Sequence, residues 1–179
     1  QGVRGRKGFH SFSISGRVKN PGVKIAPAGT TVQELIDNYC DGMAEGHTFK
    51  GYLPGGASGG ILPSSLNNIP LDYDSKELDE EGCFLGSAAV VILSDKDNMM
   101  QVGLNLLKFF EEESCGQCTP CRVGTEKTVK IMKQRLWNKQ KLEDLSEVMT
   151  EASICGLGQA ASNPLKSVMK YFSNELNYE

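Results

Sequence analysis

The chain has 179 residues, 39% of them hydrophobic and 23% charged, the make-up of an ordinary globular protein. A formal net charge of −3 argues against nucleic acid as a partner. No apolar run approaches the roughly 18 residues of a membrane span, and no secretory pattern opens the chain.

Gln1 stands where a methionine is usual, and residues 1–8 are basic and glycine-rich, so they read as a linker entered from something upstream. From Phe9 to Val18 the pattern alternates, with Phe12 and Ile14 on one side and Ser11, Ser13 and Ser15 on the other. This predicts a half-buried strand. Asn20-Pro21-Gly22 is a turn signal, and Val23-Lys24-Ile25 resumes a second strand, giving a hairpin. Thr31 and Glu34 have the spacing of a capping box. The helix that follows buries Val32, Leu35, Ile36 and Tyr39 and should stop near Asp41-Gly42.

Phe49–Leu53 reads as a short strand. The glycine cluster Pro54–Gly60 lacks the lysine of a P-loop, which leaves a structural loop or a contact with a flavin domain or nucleotide. Pro63–Leu71 suggests one helical turn and Asp72–Glu81 an acidic surface segment. The apolar run Ser87–Leu93 is a buried central strand. Cys40 and Cys83 fit as buried core thiols. The order of elements makes residues 9–94 a small α+β unit of β-grasp type.

After Asp95 the period changes from two to 3.6. Met99, Val102, Leu106, Phe109 and Phe110 mark the inward face of a first helix. A second runs from Pro120 towards Arg135, with Val123, Val129 and Met132 inward. A third, from about Leu142 to Ser153, turns Leu142, Leu145, Val148, Met149 and Ala152 inward. Asn163-Pro164 opens a fourth, with Leu165, Val168, Met169 and Phe172 inward. Four helices with short loops predict an antiparallel bundle over residues 95–179.

Cys115, Cys118 and Cys121 form a C-x2-C-x2-C run between the first two helices, and Cys155 lies between the third and fourth. In an up-and-down bundle those loops share one end. A triplet with one remote cysteine is a [4Fe-4S] pattern, since a cubane takes one thiolate per iron. Tetrahedral zinc also takes four thiolates, and disulfides are the third reading. Thr119-Pro120 reads as an N-cap followed by proline. That places Cys118 before a helix and Cys121 in its first turn, near N–H groups that favour negative charge. Arg122 is either a countercharge or an ordinary exposed arginine. His10 and His47 read as surface or supporting residues, and no catalytic set is apparent.

The stretch Glu113-Ser114-Cys115-Gly116-x-Cys118-x-Pro120-Cys121-Arg122-x-Gly124 resembles the signature of the NADH-binding flavoprotein (51 kDa-type) subunit of complex I and of soluble NAD-linked dehydrogenases. Cys155-Gly156-Leu157-Gly158-Gln159-Ala160 is similar to that family's fourth-ligand segment. Ser15-Gly16-Arg17-Val18-x-x-Pro21-Gly22 resembles its ubiquitin-like SLBB domain. The resemblance implies that Cys115, Cys118, Cys121 and Cys155 hold a [4Fe-4S] cluster. It also implies FMN and NAD(H) in a flavin domain upstream of residues 1–8. The implied partners are that domain, a small thioredoxin-like [2Fe-2S] subunit and a large catalytic subunit with molybdenum or tungsten and Fe–S centres.

Gly51–Pro63 is similar to the β subunit of NAD-dependent formate dehydrogenase in particular. The expectation is an electron-transfer segment, not catalytic by itself, in a cytoplasmic formate dehydrogenase. The diaphorase subunit of an NAD-reducing hydrogenase and the complex I subunit are the alternatives within the family. A zinc-stabilised interaction module is the alternative of another class.

Overall fold

The computed structural model describes residues 2–178 and divides the chain into two compact units, the boundary falling between Asp97 and Asn98. In the N-terminal unit, β1 (Phe9–Gly16) and β2 (Gly22–Pro27) form the expected antiparallel hairpin, with Phe9 opposite Pro27 and Ile14 opposite Gly22. Phe12 and Ile14 are buried, as the alternation requires, while Phe9, Val23 and Ile25 stand exposed. With β3 (Phe49–Leu53), β4 (Leu62–Pro63) and β5 (Ala89–Ser94) they make one sheet in the order β2-β1-β5-β3-β4. The apolar strand β5 is central. It runs parallel to β1 and antiparallel to β3, and its Val90, Ile92 and Leu93 are buried.

The capping box forms: the Glu34 N–H donates to Thr31 Oγ1 at 3.3 Å and the Thr31 N–H to Glu34 Oε2 at 2.9 Å. The helix it opens is not the uniform one expected. A short α1 (Val32–Glu34) passes into a π-helical turn over Leu35–Tyr39. The wider i→i+5 turn keeps Leu35, Ile36 and Cys40 buried together, which a 3.6 period does not do for residues five apart. The acidic segment after Asp72 contains α2 (Lys76–Glu80), capped by Ser75 and anchored by buried Leu78.

The glycine loop is built into the unit through its backbone. The Gly56 N–H donates to the Ala89 carbonyl at 2.8 Å, the Gly59 carbonyl accepts from Phe84 N–H at 3.2 Å, and the Gly55 carbonyl accepts from Ser87 Oγ at 3.3 Å. These bonds favour the structural reading of that loop.

The C-terminal unit contains, among the described residues, α3 (Met99–Glu113), α4 (Thr119–Met132), α5 (Lys139–Ala152), α6 (Gly156–Ala160) and α7 (Asn163–Tyr171). Helix α3 packs on α4 and α7, and α4 packs on α5. Asn98 and Asn138 cap α3 and α5 by accepting the Gln101 and Lys141 N–H groups, and Pro120 and Pro164 sit in the first turns of α4 and α7.

Two helices are rotated from the expected faces. In α3 the buried residues are Met99, Gly103, Leu107 and Phe110, with Phe109 exposed. In α5 Ser146 is buried, while Val148 and Ala152 are exposed. A Cβ on Gly103 would lie 3.4 Å from both Met132 Cε and Val168 Cγ2, in contact with α4 and α7, whereas one on Gly124 would come 2.5 Å from Met149 Cγ, the tighter approach of α4 to α5. Each fully buried large side chain in this core, such as Leu107 or Met99, contributes about 1.5–3 kcal/mol. Trp137 is fully buried, its Nε1 donating to the Met132 carbonyl at 3.1 Å, and it closes the α4–α5 connection.

Candidate metal centre

The cysteine triplet occupies the loop from α3 into α4. Cys118, not Thr119, is the N-cap residue of α4, with extended backbone and no side-chain cap bond. Thr119 and Pro120 are therefore already helical. A proline at that position sacrifices no intrahelical N–H bond, and the first-turn N–H groups lie outside the helix's own bonding pattern. Cys121 lies in this turn and is buried, Cys118 is half-buried and Cys115 is exposed. The Arg122 guanidinium donates to the Gly116 carbonyl and so ties the loop to the helix it precedes. That contact gives Arg122 a definite role in shaping the loop.

Cys155 is exposed and is the N-cap residue of α6, a five-residue helix that the sequence pattern did not reveal. Its segment meets the triplet at two points. The Cys118 thiol is held below the usual thiol range. The Ile154 backbone N–H is the first cause and the Cys121 N–H the second. Burial opposes them, and the Cys118 amide and Ser153 hydroxyl add smaller contributions. By distance and angle the Ser153 hydroxyl forms no hydrogen bond of its own, so it lies at the edge of this group rather than in a closed bond.

The second point is a close approach of backbone. A Cβ on Gly158 would come within 2.9 Å of Cys121 Cβ and 2.5 Å of Ser153 Oγ, so only glycine lets α6 seat against the start of α4. The structure thus joins the two loops through Cys118 and Cys121, while Cys115 and Cys155 stand exposed on the same two loops. Among the described residues no three His, Cys, Asp or Glu side chains converge as a ready-made site for a metal ion.

The residues suit an iron–sulfur cluster on their own chemistry. They offer four unpaired thiols of soft donor character, backbone N–H groups turned toward one of them, and a buried hydroxyl without a partner at Ser153. The two remaining cysteines differ. Cys40 and Cys83 are buried in the N-terminal unit, and burial pushes the Cys40 thiol up, with Asp41 adding to the effect against Lys24. His10 pairs with Asp72 at 2.7 Å and His47 with Ser94 at 2.8 Å, both within that unit, as supporting histidines would. The signal that would have pointed to Ser153 is its place two residues before Cys155.

Residues 101–179 match the family model described as the NADH-ubiquinone oxidoreductase-F iron-sulfur binding region. That match and the relatives that follow support the 51 kDa-type NADH-binding subunit family. It is 33% identical over 97% of its length to the NADP-reducing hydrogenase subunit HndC of Solidesulfovibrio fructosivorans, covering 36% of that protein. It is 35% identical over 94% of its length to an NADH-quinone oxidoreductase subunit of Escherichia coli strain K12, covering 39% of it.

Among solved structures it is similar to an NAD+-reducing [NiFe]-hydrogenase in the H2-reduced state. The TM-score is 0.82 and the identity 26%, over 97% of this chain and 30% of that one. The chain thus spans well under half the length of the relatives it matches. The family match establishes an iron–sulfur region of the [4Fe-4S] type. Among the described residues no helix is long and apolar enough to cross a membrane.

Proposed function

We propose that this chain is the electron-relay segment of the NAD(H)- and FMN-binding subunit of a multisubunit, NAD-linked oxidoreductase, with Cys115, Cys118, Cys121 and Cys155 each ligating one iron of the cluster. The observation that carries this reading is the meeting of the two cysteine loops, at Cys118 with Ile154 and at Cys121 with Gly158, inside the segment that matches the iron–sulfur family. A bound [4Fe-4S] cluster supplies one-electron transfer, which joins two-electron nicotinamide and flavin chemistry to other one-electron centres. The chain's own residues hold the four thiols on two loops, shield Cys121 and direct N–H groups at Cys118.

FMN and NAD(H) belong, in this reading, to sequence outside the chain, as does the flavin domain. The small [2Fe-2S] subunit and a large catalytic subunit complete the assembly in a cytoplasmic setting. Residues 9–94 are assigned as the SLBB domain. The sheet order β2-β1-β5-β3-β4 with β5 parallel to β1 supports that assignment. Residues 95–179 are the helical cluster domain. The formate dehydrogenase reading rests on the resemblance at Gly51–Pro63, whereas the relatives above are hydrogenase and quinone-linked subunits.

The test uses the assembled parent complex. A Cys155→Ser variant that keeps its flavin should still reduce an artificial dye with NADH, and should lose NAD+ reduction driven by the terminal substrate. Full turnover in that variant would take the cluster off the electron path. Supplying formate and hydrogen separately to the wild-type complex decides the terminal substrate. Zinc without iron or acid-labile sulfide in the purified chain would instead favour the zinc-stabilised module.

A further inference from the structure

Two serine hydroxyls stand against the thiols of the proposed cluster. Ser114 Oγ lies 3.3 Å from Cys121 Sγ, and the same oxygen accepts the Gly116 N–H at 3.3 Å. Either atom of the Ser114–Cys121 pair could donate while Cys121 is a thiol. Once Cys121 ligates iron it is a thiolate without a proton, so it can only accept, and the Ser114 O–H becomes the donor.

Ser153 approaches from the other loop. It is 5% exposed, and its Oγ has no hydrogen-bond partner among the described residues. A buried hydroxyl without an acceptor is costly, so it marks a place where something is expected to accept. The close seating of Gly158 fixes Ser153 beside Cys121, and its hydroxyl borders the Cys118 thiol. A negatively charged, metal-bound sulfur at Cys118 is the acceptor that this position lacks.

We propose that Ser114 and Ser153 are positioning residues that set the reduction potential of the cluster, their hydroxyls donating hydrogen bonds to the Cys121 and Cys118 thiolates respectively. The proposal rests on the cluster reading above. Reduction adds negative charge to the cluster, and a donor on a ligating sulfur stabilises that charge, so each bond makes the cluster easier to reduce. The two hydroxyls act on different irons and from different loops, so their effects accumulate.

The experiment is a redox titration of the parent subunit followed by electron paramagnetic resonance, with the relevant signal identified by its disappearance in Cys155→Ser. Ser114→Ala and Ser153→Ala should each retain wild-type iron and sulfide and move the midpoint to a more negative potential. The double variant should move it further than either. Ser114→Thr, which keeps the hydroxyl, should return the wild-type midpoint. Unmoved midpoints in both alanine variants overturn the proposal. Loss of iron from them also overturns it, because the serines would then support the loop rather than tune the cluster. A wild-type subunit without iron and sulfide is a different result, and it fails the cluster reading itself.

Discussion

In the N-terminal unit Cys40 and Cys83 are buried, and burial pushes the Cys40 thiol up. In the C-terminal unit Cys121 is also buried, yet it lies in the first turn of α4 with a serine on its sulfur, while the neighbouring Cys118 is held low chiefly by the Ile154 and Cys121 N–H groups. Burial alone therefore does not separate a core thiol from a proposed ligand in this molecule. The difference between Cys118 and Cys40 lies in what reaches the sulfur: N–H donors favour the thiolate at Cys118, whereas loss of solvent is the largest influence at Cys40.

The strongest way to break this comparison is to exchange cysteines for serine in both units. Cys115, Cys118, Cys121 or Cys155→Ser should each remove most of the bound iron and acid-labile sulfide, measured on the purified chain. Cys83→Ser should leave both intact. Iron lost from the Cys83 variant and kept in the Cys155 variant would reverse the ligand assignment.

A smaller effect is expected at Gly158, which belongs to the seat of the thiols and not to the thiols themselves. Gly158→Ala drives a methyl into Ser153 and Cys121. It should destabilise the helical unit by about 1–3 kcal/mol, as overpacking does. Iron occupancy should fall with it. Thermal unfolding and iron content measured on one sample check both at once, and an unchanged pair of values would mean that the two loops do not depend on this approach.

Cys40→Ser sharpens the comparison from the other side. It places a hydroxyl at a fully buried position and should cost about 1–3 kcal/mol if that hydroxyl finds no partner. Chemical denaturation should register this in the N-terminal unit with iron content unchanged.

The smallest effect is in pH dependence, measured on the metal-free chain. The Cys118 pKa is lowered by the Ile154 and Cys121 N–H groups, so its thiolate forms below the ordinary thiol range near 8.5. Cys118 should react with iodoacetamide at a lower pH than Cys40 does. Cys40 is raised, so it keeps its proton when folded while the unfolded chain releases one. Its contribution to stability is present below about pH 8.5 and declines as pH rises toward the folded value. Equal alkylation profiles for the two cysteines would remove the electrostatic half of the comparison.

Much of the fold is legible in the sequence because its signals are local. The alternation around Phe12 and Ile14, the Thr31–Glu34 box and the apolar run of β5 each state their structure within a few residues. The π turn after Glu34 is not legible, since its cause is the joint burial of Leu35 and Cys40 in a core assembled from distant strands. The rotated faces of α3 and α5 escape for a related reason. An apolar periodicity weighs side chains, and the contact surfaces pass through Gly103 and Ser146, which carry almost none. At the proposed metal centre the four cysteines stand out by their spacing. Ser153 is marked only by its nearness to Cys155 in sequence, since what its hydroxyl faces depends on the loop folded against it.

The sheet of the N-terminal unit also carries a consequence for synthesis. Its central strand is the last one made, and β1 waits for β5 across most of the unit, with Ser13 pairing Ala89. Non-local pairing of this kind is slow, whereas the helical unit is stitched mainly by neighbours along the chain, α3 to α4 and α4 to α5. On the ribosome the β1–β2 hairpin therefore emerges long before its partner strand. Until then it shows an open β1 edge and the apolar side chains of Phe12 and Ile14, and it is this interval that a chaperone would have to cover.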